Sequence, residues 1–111
     1  MAEARTWIDH AIEQHPAEHA LYDTAGWLAF LQGDLDRACR ELHRAVKVLP
    51  QSPDVHVHLG LAWRQAGQPA LAHWHLEQAI ELGQSMVQTG LPIPNETQQA
   101  IQLAQEELAK M

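Results

Sequence analysis

Two 20-residue stretches that align with each other decide the fold of this chain. Residues 26–45 read GWLAFLQGDLDRACRELHRA, and residues 60–79 read GLAWRQAGQPALAHWHLEQA. Each matched position in the second stretch lies 34 residues after its counterpart in the first. A fixed period of this length indicates a repeat architecture. The matched residues are Gly26, Gly33, Ala38, Leu42 and Ala45, which recur as Gly60, Gly67, Ala72, Leu76 and Ala79.

The same period extends toward the N-terminus. Ala4, Ile8 and Ala11 occupy the register of the second half of a repeat, and Pro16 matches Pro50. The first of these units therefore lacks its own first helix. The predicted units are the second helix of a truncated repeat at 1–15, a full repeat at 19–52 and another at 53–86.

Each full repeat is predicted to be an antiparallel pair of helices. Small and apolar residues recur at helical spacing before and after Gly33, and again before and after Gly67. Glycine suits the left-handed residue that ends a helix, and Asp34 is a good N-cap for the next one. Ser52 is expected to cap the following repeat, with Pro53 in its first turn.

Two glycines fall inside predicted helices, where each costs about 1 kcal/mol relative to alanine. Gly26 and Gly60 therefore need a steric reason for being glycine. We expect them to let the second helix of the same repeat approach closely, at Ala38 and Ala72 respectively.

The period and its motif resemble the tetratricopeptide repeat (TPR) family over residues 1 to about 84. The resemblance implies an all-α fold, in which antiparallel helical hairpins stack as a short right-handed solenoid of about six helices. The motif positions are filled by Tyr22, Gly26, Ala38, Leu42, Ala45 and Pro50, then by Leu59, Gly60, Trp63, Ala72, Leu76 and Ala79. The departures from the motif are Ala25, Ala29, His56, Gly83 and Gln84.

The period fails after Met86. The segment 87–94 contains two prolines and one glycine, so it is predicted to be a linker. Asn95 is expected to cap a final helix over 95–110, with Gln98 at the spacing of a capping box. Such a helix is typical of the end of a TPR array, where it covers the last hairpin with a polar face.

Composition and charge exclude several classes of function. The 111 residues include 14 acidic and 7 basic side chains, which give a net charge of −7 with histidine neutral. A chain without a dense positive footprint is not expected to bind nucleic acid. No apolar run is long enough to span a bilayer, and the N-terminal residues do not resemble a signal peptide. We expect a soluble single domain, and its lone Cys39 forms no internal disulfide.

No pattern of catalytic or metal-binding residues is present. His56 and His58, like His73 and His75, are two residues apart, so their side chains point to different sides of a helix. Histidines on the surface or in a groove are the expectation, with a native metal site as the alternative. Cys39 is expected to be a partly buried structural residue, since no neighbouring base activates it. We predict no enzyme activity, no cofactor and no metal.

A basic stripe is predicted on the second helix of the first full repeat. Arg37, Arg40, Arg44 and Lys47 lie at helical spacing, close to acidic residues of the same helix. Two interpretations stay open, namely a solvated face and a docking stripe for an acidic partner.

The TPR resemblance implies that the first helix of each repeat lines a concave groove where a protein or peptide binds. Aromatic side chains and arginine are favoured in such sites. Trp27 and Phe30 have a second interpretation, burial against the first half-repeat. Lysine and asparagine, which would bind a terminal carboxylate in this family, are replaced by acidic or aromatic residues. The predicted groove residues are Asp23, Trp27, Phe30, Asp54, Val57, His58, Leu61 and Arg64.

The sequence thus predicts a non-catalytic TPR scaffold for protein–protein binding. The alternative is the C-terminal end of a longer TPR solenoid or a self-association module, of the kind found in bacterial exopolysaccharide-secretion TPR proteins. Because the N-terminal helix presents Trp7, Ile8 and Ile12 without a partner helix, we also expect a homodimer through that helix.

Overall fold

The computed structural model describes residues 2–18 and 20–111, and the side chains from Thr6 onward within those ranges. His19, the expected first residue of the first full repeat, and the side chain of Ala4 lie outside the described residues. Six helices form the described chain. They are α1 (Ala2–Gln14), α2 (Ala20–Leu31), α3 (Leu35–Val48), α4 (Pro53–Gln65), α5 (Pro69–Gln88) and α6 (Asn95–Lys110).

The helices pack as hairpins in chain order. The pairs α2–α3 and α4–α5 form the two most extensive contacts, α1 packs on α2, and α6 packs on both α4 and α5. The described residues contain no strand. The all-α repeat fold expected from the 34-residue period is therefore confirmed.

The turns inside the hairpins form as the sequence predicts. Gly33 and Gly67 have φ angles of 82° and 79°, in the left-handed region that favours glycine. The Asp34 side chain accepts a hydrogen bond from the Arg37 amide at 3.3 Å. Ser52 accepts one from the amide three residues later at 3.5 Å, and Pro53 begins α4.

The hairpins close where a leucine of the second helix lies over a glycine of the first. A Cβ atom at Gly26 would lie 2.5 Å from Leu42 Cγ, and one at Gly60 would lie 2.9 Å from Leu76 Cγ. The three atoms nearest to a Cβ at Gly26 all belong to Leu42, and none belongs to the expected neighbour Ala38. At Gly60 the carbonyl oxygen of the expected neighbour Ala72 is the third-nearest atom, at 3.3 Å.

The core follows the repeat, with α4 at its centre. Leu42, Leu59 and Leu76 are fully buried, and α4 contacts α2, α3, α5 and α6. Phe30 and Trp63 pack partly buried against the cluster that contains Leu42 and Leu59.

The C-terminal region differs from the expectation in two ways. Helix α5 continues to Gln88, two residues into the predicted linker. The expected capping box is wrong, because α6 begins at Asn95 itself and no side chain caps it. Gln98 instead donates its side-chain N–H to the Ile93 carbonyl at 3.0 Å. Gly83 leaves room for Ile101, since a Cβ there would lie 2.5 Å from Ile101 Cδ1.

The basic stripe of α3 makes contacts within the chain. Arg37 forms an ion pair with Asp9 of α1. The Arg44 guanidinium lies 4.4 Å from the centre of the Tyr22 ring and 3.7 Å from a Glu41 carboxylate oxygen. Two of the arginines therefore join α3 to its neighbours.

We predict that Gly60→Leu destabilises the protein by about 1–3 kcal/mol or more, because the added side chain overlaps the buried Leu76. Better helix propensity offsets up to about 1 kcal/mol of that loss. Urea denaturation followed by circular dichroism measures the change.

A double-mutant cycle controls for propensity. With Leu76→Ala as background, Gly60→Ala should stabilise the protein by roughly 0.5–1 kcal/mol, since the overlap is gone and only the propensity gain remains. Equal effects of Gly60→Ala in both backgrounds would show that the Gly60–Leu76 contact is not the constraint.

Candidate functional site

The predicted groove residues lie on the faces that α2 and α4 turn toward each other and toward α6. All of them except one are half-buried. Val57 is 1% exposed and packs with Leu76, Ala79 and Ala104, so its assignment to the groove surface is wrong. The helix that covers Val57 is α6, which does not follow the repeat period.

A polar and aromatic cluster joins α2 to α4. His58 Nδ1 lies 2.7 Å from Asp23 Oδ1, and because an ionised carboxylate only accepts, Nδ1 carries the proton. The Trp27 ring stacks on His58 with centroids 4.4 Å apart and on Phe30 with centroids 5.0 Å apart. Trp27 is thus engaged by two rings and is neither a free platform nor a fully buried residue.

The remaining polar groove residues are Asp54 and Arg64. Arg64 forms an ion pair with Glu107 of α6, whose other oxygen lies 3.5 Å from Lys110 Nζ. Asp54 Oδ1 is buried and has no hydrogen-bond partner among the described residues. Leu61 packs against the cluster around Leu76 and contributes apolar surface.

Sequence reasoning missed Glu107 as part of this face. Its position lies in the region where the 34-residue period fails, so no repeat register places it beside α4. Nothing in the sequence around Glu107 indicates that it lies opposite Arg64.

Two histidines form a buried pair between α4 and α5. His56 and His75 are 4% and 7% exposed, and their Nδ1 atoms lie 3.1 Å apart. The expectation of surface or groove histidines is therefore wrong for these two. His56 Nε2 lies 2.8 Å from the Pro50 carbonyl oxygen, which can only accept, so Nε2 carries a proton. Neutral His56 then offers a bare Nδ1, and His75 donates to it.

Protonation of the His75 imidazole is unfavourable in its buried environment. Burial, then the neighbouring His56 of α4 and His43 of α3, lower the pKa of His75 to about 4. The neutral form is consequently the one that the fold stabilises near neutral pH.

Cys39 is half-buried, and burial followed by the charge of Asp36 raises the pKa of its thiol. A raised pKa keeps the sulfur in its less nucleophilic form. Across residues 2–18 and 20–111, no three His, Cys, Asp or Glu side chains converge as a metal site would require. None of the six helices is both long enough and apolar enough to cross a membrane.

Comparison with known proteins gives one informative similarity. No family model matches the chain. Over 49 residues the chain is 47% identical to "Cellulose synthase 2 operon protein C" of Komagataeibacter xylinus. The match covers 44% of this chain and 4% of that protein, so it relates the chain to a small part of a much longer polypeptide.

We predict that Trp27→Ala lowers the free energy of unfolding by about 2–3 kcal/mol. The variant loses two aromatic contacts, each worth about 0.5–1.5 kcal/mol beyond area burial, and the half-buried area of the indole. Denaturant unfolding without a partner measures this loss. At a protein concentration where the chain is monomeric, Trp7→Ala is the matched control, because Trp7 is 64% exposed and its truncation should change stability by less than about 0.5 kcal/mol. If both variants lose a negligible amount of unfolding free energy, the Trp27 side chain is not packed in the fold and is available to contact a ligand.

We predict that stability falls as the pH drops from about 6.5 to 4. The pKa of His75 is lower in the folded state than the value near 6.5 expected after unfolding, so the unfolded chain binds more protons in this window. The contribution is fully present above pH 6.5, and roughly 3 kcal/mol of it is lost by pH 4. Urea unfolding at a series of pH values measures the slope.

His75→Gln should flatten that slope, whereas His73→Gln should not, because His73 is an exposed residue of the same helix. A slope that His75→Gln leaves unchanged would place the titrating group elsewhere.

Proposed function

We propose that this chain is a non-catalytic TPR domain that binds a protein or peptide across the face formed by α2 and α4. The repeated helical hairpins and their glycine–leucine contacts support the TPR assignment. The half-buried acidic and aromatic side chains on this face support the binding role.

One observation carries the proposal, the buried Asp54 oxygen without a hydrogen-bond partner among the described residues. Leaving a buried acceptor unpaired costs about 1–3 kcal/mol. A donor from a bound partner that reaches this carboxylate recovers that energy. The face is therefore suited to a ligand whose N–H groups donate hydrogen bonds to the Asp54 carboxylate.

The charge of the face specifies the ligand further. Asp23 is paired with His58, whereas Arg64 and Lys110 share the Glu107 carboxylate, so the Arg64 end of the face carries one net positive charge. Asp54 lies four residues before His58 on α4, so the two share a helix face, and it adds a negative charge that forms no ion pair among the described residues. Arginine and lysine side chains pair with carboxylates and also pack on aromatic rings. We propose a peptide that presents arginine or lysine, steered by the net charge of −7.

The test is an array of ten-residue peptides in which one central position is arginine, lysine, glutamine or glutamate. Wild-type protein should bind the arginine and lysine peptides and leave the glutamate peptides unbound. Asp54→Asn should weaken that binding by about 10-fold or more, because a charge-assisted hydrogen bond is lost.

Asp36→Asn is the matched control. It removes the same charge from an exposed position on α3, away from the proposed face. Equal weakening by Asp36→Asn and Asp54→Asn would assign the binding to overall charge, and binding of glutamate peptides would contradict the proposed chemistry.

The similarity to the Komagataeibacter protein favours a second, more specific role. We propose that the domain works in a bacterial system of the cellulose-synthase type, as part of a longer solenoid or as a self-association module. Deleting the gene should lower the amount of secreted β-glucan, and complementation with the Asp54→Asn variant should restore it less well than Asp36→Asn does. Unchanged β-glucan after deletion would contradict this role.

A further inference from the structure

Trp7 is exposed at a register position that is covered in both full repeats. Its counterparts at the 34-residue spacing are Glu41 and His75. Both are 7% exposed, whereas Trp7 is 64% exposed. In the second full repeat the covering element is that repeat's own first helix, since His56 of α4 contacts His75. By the repeat register, the element that would cover Trp7 is a helix of the first-helix type, and none of the described helices covers it.

Helix α6, at the other end of the molecule, is positioned like the first helix of a repeat. Helix α6 packs on α4 and α5, as α4 packs on α2 and α3, and no second helix follows it in the described residues. Between α5 and α6 lies a cleft of about 480 Å³. Ile80, Val87 and Ile93 supply apolar surface there, four glutamines surround them, and no charged side chain lines the cleft.

We propose that a second copy of this chain docks head to tail, with Trp7 of one copy inserted in the α5–α6 cleft of the next. Helix α1 then takes the place of the second helix beside α6. The cleft volume lies within the range of about 300–1,000 Å³ found for ligand pockets, and an indole is a small occupant. Its apolar body meets the isoleucines, and its N–H finds acceptors in the glutamine amides.

The absence of charge in the cleft lining is what makes this occupant suitable. A tryptophan entering such a site removes no ionised group from water. The two interacting surfaces differ, so each copy keeps one free surface after the first contact. Association of this kind grows beyond a dimer unless it closes as a ring. The net charge of −7 on each copy opposes association, and added salt should strengthen it by screening.

Sedimentation velocity of the 111-residue chain over a concentration series tests the proposal. The wild type should form species larger than a dimer, at lower concentrations in high salt. Trp7→Ala and Val87→Glu should each raise the concentration needed by at least about 30-fold. Val87 is 66% exposed, so its replacement changes the cleft without disturbing the core.

Two variants serve as matched controls. Trp74→Ala removes another exposed tryptophan, and Leu71→Glu places the same charge on an exposed apolar site of α5 outside the cleft. Both should associate as the wild type does. Far-UV circular dichroism should show the same helix content in all four variants.

Mixing the two interface variants gives the decisive measurement. The Trp7→Ala copy keeps an intact cleft, and the Val87→Glu copy keeps Trp7, so the mixture should form 1:1 dimers that do not grow. A Val87→Glu protein that associates like the wild type would mean that α1 pairs with α1, and this outcome overturns the proposal. A wild-type chain that stays monomeric to millimolar concentration overturns it as well.

Discussion

The contact between a leucine and a glycine inside each hairpin is the constraint on which the rest of this structure depends. Leu42 lies over Gly26 and Leu76 over Gly60, and both leucines are fully buried. This contact sets how closely the two helices of a repeat approach, and it recurs at the same spacing in both repeats. Helices α2 and α4, the first helices of the two repeats, contact each other. The cluster around His58 forms on the seam between them.

The sequence predicted the parts of the fold that depend on local chemistry. The turn glycines and the caps at Asp34 and Ser52 formed as expected, since each depends on residues within one turn of the chain. Asn95 failed as a cap because the preceding proline already supplies the extended residue before the helix. The preference of asparagine for the N-cap position thus competes with the extended conformation of Pro94, one residue earlier.

The candidate site was predicted less well, for a reason that lies in α6. Repeat register placed Asp23, Trp27 and His58 on one face, and the structure brings those three side chains together. It did not place α6, whose position is set by Ile101 entering the space above Gly83 rather than by the period. The burial of Val57 and the ion pair of Arg64 both follow from that docking, so neither was accessible from spacing alone.

The weak anchoring of α1 has a consequence for how the molecule opens. Among the described side chains of α1, Ile8 is the one that is fully buried. Ile12 packs partly buried against the cluster that contains Ala45 of α3, and the ion pair to Arg37 has a half-exposed partner. Exposed ion pairs contribute about 0–1 kcal/mol. We therefore expect amide hydrogens of α1 to exchange with solvent through local unfolding, at a free energy well below that of global unfolding. We expect those of α4, which is packed on four neighbouring helices, to be protected much more strongly, so that opening of the repeat array begins at its first helix.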